Sequence, residues 1–105
     1  MKVLFDQGTP VPLRRHLRLH EVTTAYELAW TTLRNGDLIA QAEAAGFEVL
    51  VTTDQNLKYQ QNLSERRLAV VVLLSTSWPK IQARVLAVTT AVDEANPGSY
   101  VEVEV

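Results

Sequence analysis

At 105 residues the chain suits one domain with one core and leaves little room for a second. Its 47% apolar and 21% charged residues exclude a disordered chain, and a net charge of −2 excludes a global positive field as the means of holding nucleic acid. Without cysteine it has neither disulfides nor thiolate metal ligands, which fits a reducing compartment. The opening "MKVLFD" meets a carboxylate at Asp6, too early for the core of a secretory signal. No apolar run approaches the ~20 residues of a membrane span, so a cytoplasmic protein is expected.

Lys2 to Phe5 predicts a short apolar strand that ends at Asp6. Pro10 to Leu19 reads as a helix, with Leu13 and Leu17 one turn apart and Arg14, Arg15 and Arg18 on other faces. "EVTT", Glu21 to Thr24, is a weaker strand. The spacing predicts a helix over Asp37 to Ala45, entered through Asn35-Gly36 and stopped by Gly46 beside Phe47. Val49 to Thr52 and Leu68 to Leu74 are nearly continuous β-branched and aliphatic runs, as strands buried on both faces of a parallel sheet require. Trp78, Ile81, Val85, Val88 and Val92 form one stripe of a helix over Trp78 to Ala95, capped by Ser77, with Pro79 in its first turn and Pro97-Gly98 beyond its end. "YVEVEV", Tyr100 to Val105, alternates as an edge strand with one wet face does.

The predicted order is β-α-β-α-α-β-(α)-β-α-β. It implies a single α/β domain over residues 1–105, a three-layer sandwich around a mostly parallel sheet of roughly five strands. In such sheets ligands bind beyond the carboxyl ends of the strands, at the topological switch point. Asp6 and Asp54 both follow apolar strands, and Asp37 opens a helix that can face the same rim. Three converging carboxylates repel one another unless a cation joins them, and hard oxygen donors favour Mg²⁺ or Mn²⁺. Singly, each has a plainer reading. Asp37 complements a helix dipole, Asp54 or Thr53 caps a helix begun by Gln55, and Asp6 caps the turn into Pro10.

The stretches "MKVLFDQGTP" and "NGDLIAQAEAAGFEVLVTTDQNL" resemble the short PIN-like nuclease group of prokaryotes, often found in toxin–antitoxin operons. That group resembles the pattern strand-Asp-Glu-Asn-x-Pro, then D-x-x-I-x-x-x-A, then V-L-V-T-x-D-x-D-F, and the likeness runs from Met1 to about Leu74. The resemblance implies Mg²⁺- or Mn²⁺-dependent cleavage of RNA that leaves a 3′-hydroxyl and a 5′-phosphate. It implies Asp6, Asp37 and Asp54 as metal-binding and catalytic residues, with Thr52 and Thr53 in support. The implied partners are RNA and a cognate antitoxin protein. Where the pattern has acids, this chain has Gln7 and Asn56, amides that keep an oxygen donor and lose a charge. Both are expected to orient the aspartates beside them. The same two amides motivate an alternative, a weakened or inactive PIN-like binding or regulatory module.

Arg14, Arg15 and Arg18 are the candidate phosphate contacts, and Lys58 and Tyr59 lie just past the third motif. His16 and His20 have a metal-ligand spacing, but His20 lies at the end of the predicted helix, and a zinc role is not expected. Trp30 and Trp78 read as core or interface anchors, and with the alternating last strand they admit a homodimer.

Overall fold

The computed structural model describes residues 1–57 and 66–105. Five strands form one sheet: β1 (Lys2–Phe5), β2 (Glu21–Thr24), β3 (Val49–Thr52), β4 (Ala69–Leu73) and β5 (Tyr100–Val103). Their order is β2-β1-β3-β4-β5, and every neighbouring pair is parallel. The chain steps outward from β1 to β2, then returns past β1 to lay down β3, β4 and β5. The reversal lies between β1 and β3, the switch point where doubly wound sheets take ligands.

Alternation of side chains along each strand divides the core in two. Val3, Phe5, Val49, Val51, Val71 and Leu73 face one side, where Leu13, Leu17, Ile81, Val88 and Val92 cover them. Leu4, Leu50, Val70 and Val72 face the other, against Leu38, Ile39 and Ala42. All five residues of β4 and all four of β3 are buried, which is why their sequences run apolar without a break. The outer strand β5 exposes Glu102 and buries Val103, as its alternation predicts, but it also exposes Val101, which the alternation placed inward. Among the described residues no helix is long and apolar enough to cross a membrane.

The helices depart further from expectation. The arginine-rich segment is a 3₁₀ helix, Val11–His16, rather than an α-helix to Leu19. Pro10 and Pro12 lack N–H groups, and Leu13 and Leu17 bond back three residues, to Pro10 and Arg14. Leu13 and Leu17 reach the core nonetheless. Helix α1 spans Asn35–Ala44, starting two residues before the predicted Asp37. It is the one α-helix between β2 and β3 among the described residues, not two. The predicted long helix is two, α2 (Trp78–Ala83) and α3 (Val85–Asp93). At Arg84 φ is −118°, and its N–H bonds to Ile81 three residues back. The β-branched residues beyond it favour helix less, yet the predicted stripe faces the core across the break. Ser77 caps α2 by accepting from Lys80 N–H.

Candidate functional site at the β1–β3 switch point

Asp6 is the first residue past β1, and its N–H donates to Val51 of β3 at 2.9 Å, extending the ladder by one bond. Its carboxylate is held on both oxygens. Oδ1 accepts the Gln7 N–H and Oδ2 the Thr52 hydroxyl, each at 2.7 Å. Thr52, the last residue of β3, is fully buried. The same hydroxyl oxygen accepts the Asp54 N–H at 3.1 Å. Asp6 and the backbone at Asp54 therefore meet on one side-chain oxygen. Buried hydroxyls need such partners, and this one has a donor and an acceptor.

The loops beyond the two strands are packed together. Thr9 donates its hydroxyl to the Val51 carbonyl at 2.9 Å and its N–H to the Asp6 carbonyl at 3.0 Å. A Cβ on Gly8 would sit 2.5 Å from the Thr53 Oγ1, so a larger residue between these loops requires the Thr53 side chain to shift. Asp54 Oδ1 accepts the Asn56 N–H at 2.9 Å, a local turn of the kind Asp favours. Gln55 and Asn56 form a turn rather than the first residues of a helix, so Asp54 braces this turn beside its position on the rim.

Gln7 and Asn56 are exposed. Asp37 lies exposed in the first turn of α1. Among the described residues no group of three or more histidine, aspartate or glutamate side chains is placed to share one metal ion. Asp6, Asp37 and Asp54 are thus not brought together as a three-acid cluster. Two rim carboxylates nevertheless match the donor set of Mg²⁺, which commonly takes one or two carboxylates and keeps several waters.

Of the candidate RNA contacts, Arg15 and Arg18 are exposed. Arg14 is engaged internally: Nε and Nη2 donate to the Val22 carbonyl at 3.2 and 2.7 Å, and Nη2 also meets Glu27. Lys58 and Tyr59 lie outside the described residues. His20 has an acidic partner, Asp93 at the end of α3, with Nε2 to Oδ1 at 2.6 Å. That pairing spans 73 positions and has no sequence signature.

Sequence reasoning passed over the end of β2. Parallel pairing puts Thr24 opposite Phe5, on the same rim as Asp6. Thr24 N–H donates to Glu27 Oε1 at 3.0 Å, and Glu27 N–H returns a bond to the Thr24 hydroxyl at 3.1 Å. The Thr24 N–H and the Arg14 guanidinium hold the Glu27 carboxyl below its ordinary range. The parallel topology alone flagged this corner, since "TTAYE" has no apolar run ending in an acid.

No family model, curated protein or solved structure matches the chain. The case for any chemistry at this rim rests on the side chains themselves.

Proposed function

We propose that the chain is a PIN-like, Mg²⁺- or Mn²⁺-dependent ribonuclease, the toxin of a toxin–antitoxin pair. The observation that carries this reading is the meeting of the Asp6 carboxylate and the Asp54 backbone N–H on Thr52, which sets both aspartates on the rim at the switch point of a parallel sheet. The helices on both sheet faces support the three-layer arrangement that goes with it. Asp6 and Asp54 would hold the cation, which when bound supplies a water of lowered pKa and neutralises phosphate charge. The Thr52 hydroxyl and the Gln7 N–H together fix the rotation of the Asp6 carboxylate. The amide side chains of Gln7 and Asn56 add neutral oxygen donors beside the two acids. Arg15 and Arg18 supply cations for the RNA backbone. Asp37 acts at the start of α1, where its charge favours the helix dipole.

Single-stranded RNA incubated with the purified protein and Mn²⁺ is expected to be cut, with no cutting in EDTA or by Asp6→Asn. Cleavage that survives either change overturns the mechanism. Gln7, Asn56 and the lack of a three-acid cluster among the described residues favour a second reading, a non-catalytic PIN-like module that binds a partner protein or RNA. Calorimetric titration with Mn²⁺ separates the two. Heat of binding that disappears in Asp6→Asn supports the nuclease, whereas no binding until Gln7→Glu and Asn56→Asp are introduced supports the module.

A further inference from the structure

Beside Asp6 a pocket of about 260 Å³ opens between the 3₁₀ helix and the end of β2. Its walls include Asp6, Gln7, Val11, Arg14 and Tyr26. Two apolar side chains stand in solvent at this corner, Tyr26 at 81% and Val11 at 56% exposure. Exposed rings are common singly, but this ring lines a cavity that also contains the rim carboxylate.

Charge decides what such a pocket takes. The one cation in its wall, Arg14, is spent on the Val22 carbonyl and on Glu27. Thr9 donates its hydroxyl to the Val51 carbonyl, and the Thr24 hydroxyl oxygen accepts the Glu27 N–H. Carboxylates at Asp6 and Glu27 repel an anion, so a phosphate has no seat here. A flat uncharged ring does: it can stack on Tyr26, lie against Val11, and present its polar edge to Gln7. Among the described residues the Gln7 side-chain amide makes no hydrogen bond. The size agrees, since the volume falls below the ~300–1,000 Å³ of pockets for drug-sized ligands and suits one ring rather than a whole dinucleotide.

We propose that this pocket seats one unstacked nucleobase of the RNA strand on the Tyr26 ring and so sets the strand's register over Asp6. The proposal rests on the reading of the chain as an RNA-binding nuclease. Stacking tolerates any base, and Gln7, both donor and acceptor, discriminates only weakly. The pocket therefore positions the strand without imposing a strict sequence.

Two measurements test it. Fluorescence anisotropy with a labelled single-stranded RNA in EDTA reads binding without cleavage. Tyr26→Ala is expected to weaken binding by about 5- to 150-fold, the range for loss of one base–aromatic stack, while Tyr26→Trp retains it. Tyr26 is a surface residue, so an unchanged thermal midpoint is expected for both variants. NMR titration of the unmodified protein with adenosine is expected to shift the Tyr26 ring resonances saturably, and ribose 5-phosphate is not. Equal RNA affinity for wild type and Tyr26→Ala overturns the subsite and leaves the nuclease reading standing. Adenosine shifts in a protein that neither cuts RNA nor binds Mn²⁺ uphold the base pocket and overturn the nuclease reading. No adenosine shift and no RNA binding overturn both.

Discussion

At the residue scale the rim depends on Thr52. Its hydroxyl is fully buried, donates to Asp6 and accepts from the Asp54 N–H, so one oxygen couples two strand ends. Thr52→Val keeps the shape and removes that oxygen, leaving a partly buried N–H and a carboxylate oxygen without this partner. The expected loss is about 1–3 kcal/mol, read as a shifted urea midpoint at unchanged slope. If Asp6 holds a cation, Mn²⁺ affinity should also fall by about 10- to 100-fold, whereas Thr52→Ser should retain most of it. Asp6 and Asp54 were legible in sequence because an apolar run that ends in an acid is a local pattern. The engagement of Arg14 with Val22 was not, since an arginine on a predicted helix face looks the same whether it meets solvent or a carbonyl.

At the element scale one capping motif occurs twice with different residues. After α1, Phe47 N–H bonds to Ala42 and Gly46 N–H to Glu43, a Schellman turn with Gly46 at φ 85°. After β2, Trp30 N–H bonds to Ala25 and Ala29 N–H to Tyr26, the same turn with Ala29 at φ 59°. The residues that follow, Phe47 and Trp30, meet edge to face at 6.1 Å and lock the two turns together. A left-handed L-residue costs about 1–2 kcal/mol, partly offset by the extra entropy glycine loses on folding. Ala29→Gly should therefore stabilise by about 0.5–1 kcal/mol and Gly46→Ala destabilise by a similar amount, both read from denaturant midpoints. Equal shifts of one sign would contradict this account. Gly46 announced its turn in sequence. Ala29 did not, because alanine gives no local signal for a left-handed backbone. The break at Arg84 was hidden for a related reason: the apolar spacing continues through it unchanged.

At the scale of the whole molecule, two doubly buried strands and the alternation of elements were enough to read a parallel α/β sheet. Strand order was not legible, because hydropathy says which faces are covered and not which strands are neighbours. Some of the joins between distant segments are polar, and one lies at the opposite end of the sheet from Asp6. Glu43 of α1 accepts from Arg66 Nη1 at 3.0 Å through Oε1 and from Arg67 N–H at 2.9 Å through Oε2, clamping α1 to the entrance of β4. Partial burial works to raise the Glu43 pKa, but the Arg67 N–H and the Arg66 guanidinium together outweigh it and hold it below the ordinary 4.5. A carboxyl with a depressed folded pKa contributes stability that is complete above its unfolded value and is lost as pH falls through the folded one. Glu43→Gln should thus be less stable than wild type at pH 7, and the gap should narrow as pH drops below about 4.5. Urea midpoints taken from pH 7 down to pH 3 measure that gap directly. Curves that stay parallel throughout would mean that Glu43 holds the crossover by shape alone, whereas convergence in acid identifies its charge as what ties α1 to β4.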